Sequence, residues 1–363
     1  MTSLANWTDS ENESSIYNYC DTSNLETIYW YWFYSDIIYG LLSITGNSLV
    51  IFLVFLEPAL RTSLNVLLVN MALSDIFLPS LDLLGVIFIY LGIGGNLSRT
   101  SEQLLCKLLP FVLNISAAVS VQSLVIIAFN RFYAVMYPMR AKLSKRKKST
   151  YVIIFVTWFT ACAIFCPYPY FYKSANEDGL INCYLTLKGN SLHAYDIFIS
   201  AFLRSIPFVL MTALYTVIII KVRRQTVPGN PIPSFIRRRK QNDKLTYMCF
   251  TVMLMFFCSW GVYEILYMVS SYVGGSYYCN IQVALDILYP FSSMSSAVNP
   301  IIYFIYCSNF RLALTKVFRK GDQTYGKGSS ISGHYQIALR HIKLNKEVLQ
   351  RGLSASTVVS DAV

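Results

Sequence analysis

Seven stretches of the chain are apolar and almost free of charge: Ile37 to Leu56, Ser63 to Leu91, Leu108 to Asn130, Tyr151 to Tyr172, Ile197 to Ile220, Leu245 to Tyr263, and Ile287 to Phe310. Each is close to the roughly 20 helical residues needed to cross a hydrocarbon core. The pattern predicts an all-α membrane protein, a bundle of seven transmembrane helices. Charge enters the runs only at Asp75 and Asp82 in the second and Arg204 in the fifth. After the last run, Asn309 to Lys320 (NFRLALTKVFRK) alternates basic and apolar residues at helical spacing, as a helix lying in the membrane interface does. The organisation expected is an N-terminal segment over 1–29, the bundle over 30–307, the interfacial helix over 308–320, and a polar tail rich in Ser and Gly over 321–363, predicted to be disordered.

Composition agrees with the pattern. Of 363 residues, 55% are hydrophobic and 13% charged, against about 25% charged in soluble domains. The net charge of +11 raises the possibility of a nucleic-acid partner, which the placement of the bases removes. They cluster between runs: Arg140, Lys142 and Lys145 to Lys148, then Lys221, Arg223 and Arg224, then Arg237 to Lys240. The N-terminal segment is acidic instead, with Asp9, Glu11, Glu13, Asp21 and Glu26. This is the positive-inside asymmetry, so the N-terminus is expected outside the cell and the C-terminus in the cytoplasm, with the protein in the plasma membrane. Sequons at Asn6, Asn12 and Asn96 fall on the outer side and are candidate glycosylation sites; a fourth at Asn114 lies inside a run. No cleavable signal peptide is read in the first 25 residues, so the first span is expected to direct insertion.

The topology puts Cys106 at the outer end of the third span and Cys183 in the second outer loop, both in the oxidising compartment, and a bridge between them would pin that loop over the bundle mouth. Cys20 and Cys279 are also outside and are candidates for a second bridge, with a free Cys20 as the alternative. No cysteine spacing suggests a metal. His193, His334 and His341 lie in or near loops and tail rather than as a ligand set.

A charge in the membrane centre costs about 2.5–3.5 kcal/mol on insertion scales, so each one asks for a role. Asp75 with Asn47, Ser120, Ser296 and Asn299 can form one buried polar cluster. That donor set suits a sodium ion, or equally a hydrogen-bonded network without metal.

Over roughly residues 30 to 320 the chain resembles the rhodopsin-like G-protein-coupled receptors. The resemblance rests on Asn47 in GNSLV, Asp75 in NMALSD, Cys106, Arg131 in NRFYAVMYP, Trp158, Cys183, Pro207 with Tyr215 eight residues on, Trp260 in CSWGVY, and NPIIY with Asn299, Pro300 and Tyr303. It implies that Arg131 holds the inner ends of the third and sixth helices at rest and contacts the G protein when active. Trp260 matches the aromatic switch under the ligand, and Tyr215 and Tyr303 match tyrosines that rearrange around the arginine. Ligand would then shift populations of a bistable bundle. No enzymatic chemistry and no required cofactor are implied, and sodium would be allosteric.

Two positions depart from the family pattern. Asn130 stands where an acidic residue commonly pairs with the arginine, which weakens the restraint to a neutral hydrogen bond and predicts raised basal activity. Val262 stands where the sixth helix commonly carries a kinking proline, with Gly261 as an alternative source of flexibility.

Leu113 and Ser293 stand where amine receptors have an aspartate and opsins the retinal lysine, which argues against both ligand classes. The expected pocket contains Asp82, Leu113, Arg204, Trp260, Tyr263, Glu264 and Tyr267. Asp196, Ser200 and Arg204 share a helix face, and the resemblance implies that Arg204 and Glu264 can meet across the fifth and sixth helices, either to bind a charged ligand or to pair internally. An acidic N-terminus and aromatic mouth favour a peptide, of neuropeptide type, over a metabolite.

The inner basic blocks are expected to engage a heterotrimeric G protein and anionic lipids. Tail residues including Ser329, Ser330, Ser354 and Thr357 are candidate sites for receptor kinases and arrestin. The alternative function is an atypical seven-helix binding or scavenging receptor with weak coupling, suggested by Asn130 and Val262. A transporter or membrane enzyme would call for inverted repeats or a nucleophile set, and neither is evident.

Overall fold

The structure, a computed structural model, describes residues 25–90, 98–138, 147–177, 180–186, 190–224, 233–270 and 276–325. The sequons at Asn6, Asn12 and Asn96, together with Cys20 and the tail sites beyond residue 325, lie outside them.

The long helices are α1 (Leu25–Leu56), α2 (Ser63–Tyr90), α3 (Arg99–Met136) and α4 (Lys147–Phe165). Three continuous segments, Asn190–Ser200, Ala201–Ser205 and Ile206–Arg224, make α5, and Pro233–Phe256, Phe257–Gly261 and Val262–Ser270 make α6. They are followed by α7 (Ser276–Tyr306) and α8 (Ser308–Tyr325). Among the described residues six of these helices are each long and apolar enough to span a membrane, and the number reaches seven when α7 and the bent helix after it are counted as one span.

Most helices reach further than the apolar runs that announce them, because a helix need not stop where the hydrocarbon does. On α3, Ser98 caps the N-terminus, its Oγ accepting from the Ser101 N–H at 3.2 Å, so the helix starts well before Leu108. Asp36 and Asp286, which border apolar runs in the sequence, are consequently inside α1 and α7.

Packing is that of a membrane protein, with apolar residues facing outward. Phe55, Phe155, Phe159, Val209 and Ile265 are each at least 64% exposed, whereas Ser43, Asn47, Ser74, Asp75, Ser123 and Ser292 are at most 3% exposed. In lipid, apolar surface needs no covering, and polar groups must find partners inside the bundle. α3 is central, touching α2, α4, α5 and α6. The contact of α1 with α7 depends on Gly46, since a Cβ there would meet Pro300 Cγ at 3.0 Å.

β1 (Tyr172–Glu177) and β2 (Leu180–Leu185) form an antiparallel hairpin with Ser174 opposite Cys183. The chain divides into two compact units, Met1–Phe310 and Arg311–Val363. All seven spanning helices belong to the first.

α5 and α6 each contain a π-helical turn, at Ala201–Ser205 and Phe257–Gly261. The turn in α6 ends just before Val262, the position where the family pattern carries a proline. The break in regularity that proline would have caused is supplied by the wider turn, with Ser259 Oγ donating to the carbonyls of Met255 (2.9 Å) and Phe256 (3.0 Å).

Candidate functional site

At the centre of the bundle Asp75 on α2 is 3% exposed. One carboxylate oxygen accepts from Ser120 on α3 at 2.9 Å and the other from Asn299 on α7 at 2.7 Å, which ties three helices to one side chain. Asn47 does not touch the carboxylate. Its amide donates to Ser43 Oγ and to the Ser296 carbonyl, each at 3.0 Å, and its own oxygen has no hydrogen-bond partner. Ser43 Oγ in turn donates to the Asp75 backbone carbonyl at 2.9 Å, so Asn47 joins the network through α1 and the backbone. A cavity of about 50 Å³ is lined by Asp75, Ser120, Ser296 and Asn299, and also by Trp260 and Arg204. Beside it, Asn70 bridges Ser123 and the Trp158 indole, each at 2.9 Å.

Arg204 and Glu264 meet. Arg204 Nη1 donates to Glu264 Oε1, and Ser200 Oγ donates to the same oxygen at 2.5 Å. The cation lies in the π turn of α5 and the carboxylate in the first turn after that of α6, so the two irregular segments are joined by this pair. One helical face presents Ser200 and Arg204 together, as the spacing of four requires; the Asp196 side chain lies outside the described residues.

Aromatic rings continue from the pair. Trp260 packs edge-on to Tyr263 at 6.2 Å, and Tyr263 stacks with Tyr267 at 6.4 Å. Tyr263 also meets Tyr289 on α7 at 5.9 Å, and Tyr289 meets Trp32 on α1 at 5.5 Å. Asp82 is joined to this group through the Tyr289 hydroxyl, 3.5 Å away. Leu113 is half-buried on α3.

Cys106 is bonded to Cys183, with Cα atoms 5.1 Å apart, which fastens the hairpin to the N-terminal part of α3. The Cys279 side chain is outside the described residues, as is that of Ser293. Asn114 sits within α3 and donates to the Pro110 carbonyl at 2.8 Å, an environment closed to a glycosylating enzyme.

Far along α3, Arg131 is 9% exposed; its Nη2 donates to Asn130 Oδ1 at 2.9 Å and its Nε has no partner. Both residues line a cavity of about 790 Å³ with Asn65, Arg237, Lys240, Lys244, Tyr306 and Asn309. Tyr215 is almost fully buried, packed edge-on to Phe250 at 5.8 Å and next to Cys249. Tyr303 is fully buried, its ring stacked with Phe310 at 6.4 Å and its hydroxyl without a partner. The unpartnered Arg131 nitrogen in the cavity wall and the unpartnered Tyr303 hydroxyl in the core are groups ready to bond in another arrangement of the helices.

Sequence reasoning passed over Trp32, Asp36, Asp286 and Tyr289. The two aspartates each stand one residue outside an apolar run, where a carboxylate reads as a boundary marker. Only a signal of helix continuation, such as the unbroken aromatic stretch YWYWFY before Asp36, could have moved them inside.

A bundle of membrane-length helices with a polar spine, a disulfide-pinned hairpin at one end and an arginine-lined cavity at the other defines a polytopic membrane receptor. The family model for the seven-transmembrane receptors of the rhodopsin family matches residues 46–303, and the chain belongs to that family, the G-protein-coupled receptors its motifs resemble. It is a family of receptors rather than enzymes. Among similar proteins, a QRFP-like peptide receptor of Branchiostoma floridae is 26% identical over 291 residues, covering 76% of this chain and 74% of its own. The allatostatin-A receptor of Bombyx mori is 26% identical, covering 77% of this chain and 76% of its own. The human substance-K receptor is also 26% identical, covering 77% and 70%.

Proposed function

We propose that this receptor is activated by an extracellular peptide and couples that event to a heterotrimeric G protein from the plasma membrane, N-terminus outside and C-terminus in the cytoplasm. The observation that carries the coupling is the cavity of about 790 Å³, with Arg131 in its wall and Arg237, Lys240 and Lys244 around it. A cationic cleft between helices suits a partner that inserts a helical segment with carbonyls or carboxylates at its end. The peptide reading is supported by the similarity to a QRFP-like peptide receptor and a tachykinin-like peptides receptor, and by a mouth of tyrosines and tryptophan next to acidic groups.

Ligand binding is coupled inward through Trp260, which lines the same small cavity as Asp75 and Asn299. A peptide that packs better against one arrangement of Tyr263, Trp260 and the Arg204–Glu264 pair shifts α6, with its π turn as the site of bending. Sodium fits the donors around Asp75: a buried carboxylate, two hydroxyls and the unpartnered Asn47 Oδ1 nearby. Asp75, Ser120 and Ser296 would hold it, and its charge would favour one packing of α2, α3 and α7. Receptor kinases, arrestin and anionic lipids complete the reading, through the tail and the basic inner ends of α5 and α6.

The scavenging alternative loses part of its motive, since α6 keeps a flexible break without the proline. Expression with biosensors for each G-protein class tests the proposal. Ligand-free signal that Arg131→Ala removes at equal surface level supports coupling and names the pathway for a peptide screen. Silence in every channel, with peptides retained by the surface protein, would overturn it in favour of the uncoupled binder.

A further inference from the structure

We infer that Asp36 on α1, Asp82 on α2 and Asp286 on α7, together with the rings of Trp32, Tyr263 and Tyr289, form a binding site for a cationic group of the ligand, a guanidinium or an ammonium. The inference rests on the peptide-receptor reading and gives that ligand a chemistry.

Among the described residues none of the three carboxylates has a cationic partner. Asp36 is only 8% exposed, and it forms no salt bridge among the described residues. Asp82 Oδ2 and Asp286 Oδ1 are both buried with no hydrogen-bond partner. The bond that Asp82 does accept, from Tyr289, is long at 3.5 Å. Asp36 is near enough to Asp82 for their charges to repel, and Asp286 is likewise within electrostatic reach of Tyr263. Arg204 does not relieve them, because its guanidinium is engaged by Glu264 and Ser200. Burying like charges with free lone pairs costs free energy that a bound cation recovers.

The surrounding rings suit the same guest. Tyr289 lies 5.5 Å from Trp32 and 5.9 Å from Tyr263, and the Trp32 indole is fixed by donating its N–H to the Asp286 carbonyl. Aromatic faces attract cations, and paired carboxylate oxygens match the fork of a guanidinium. The site differs from the Arg204–Glu264 pair in kind. The pair is already neutral, whereas these carboxylates have no cation beside them among the described residues.

The test uses the purified full-length receptor in nanodiscs and three pools of random amidated hexapeptides without other basic residues. One pool is N-acetylated with a fixed Arg, one is N-acetylated with citrulline at that position, and one has a free amino terminus with citrulline. Retained peptides are counted by mass spectrometry. At least tenfold more peptide is expected from the Arg pool or the free-amino pool than from the acetylated citrulline pool, and whichever is enriched names the source of the charge. The preference should fall to parity in Asp82→Asn/Asp286→Asn and weaken in Asp36→Asn, each checked for folding by its melting curve. Equal retention from all pools, retention from none, or a preference unchanged in both variants overturns the site. Arg131-dependent signalling without a cation preference removes this inference and leaves the receptor reading; a cation preference in a silent receptor does the reverse.

Discussion

Removing one partner of the Arg204–Glu264 pair should harm the protein more than removing both. The side chains are 32% and 12% exposed, so the pair is mostly withdrawn from water, and Glu264 Oε1 takes both the guanidinium and the Ser200 hydroxyl. Leaving one member of a fully buried pair alone costs about 3–5 kcal/mol. Discounted for the exposure of Arg204, about 2 kcal/mol is expected for either Arg204→Met or Glu264→Met. The double variant places two flexible apolar chains between α5 and α6 and should lie within about 1 kcal/mol of the parent. The cycle therefore predicts a coupling of about 3–5 kcal/mol. Thermal unfolding of the purified receptor in nanodiscs, parent against both singles and the double, measures it. Singles that add, so that the double is the least stable of the four, would refute the reasoning and show that the two charges act independently.

Asn130→Asp should turn the bond to Arg131 into a charge-assisted one and lower basal signalling by about fivefold, for a gain of about 1 kcal/mol in the resting state; unchanged basal signal at equal surface level counts against this. Asp75→Asn should abolish any difference in melting temperature between sodium chloride and choline chloride at equal ionic strength, and a difference that persists would place the ion elsewhere. Gly46→Val should destabilise the α1–α7 contact by about 1–3 kcal/mol, since even a Cβ meets Pro300 at 3.0 Å, whereas Gly46→Ala should cost less; melting curves separate the two. Cys183→Ser releases a loop closed over a separation of 77 residues, for which the chain-entropy model gives a ceiling of about 4.5 kcal/mol, and surface expression together with melting should both fall.

The seven spans, their order and the polar residues gathered near Asp75 were legible because the membrane imposes a simple code. Long apolar runs must be helices, and a polar residue inside one must face another helix. Asn47, Asp75, Ser120, Ser296 and Asn299 announced themselves in that way. Arg204 did too, since a charge in an apolar run has few places to go, and Glu264, one residue past the end of the sixth run, was the partner that the family's geometry offered. What the runs could not mark was where each helix ends. α1 starts at Leu25 and α7 at Ser276, and the extra turns carry Asp36 and Asp286 into the bundle.

The pattern along the chain thus determined the class of the protein, the number of its helices and the residues that need partners, because hydrophobic length and the cost of buried charge are local properties of a sequence. Only the tertiary structure decided which partners they take. It closed the expected Arg204–Glu264 pair on itself, left Asn47 beside the Asp75 carboxylate rather than on it, put a π turn just before Val262, and carried Asp36 and Asp286 inside helices. Those outcomes depend on the rotation and depth of one helix against another. Side-chain packing across the whole bundle sets these, and no single segment carries the information.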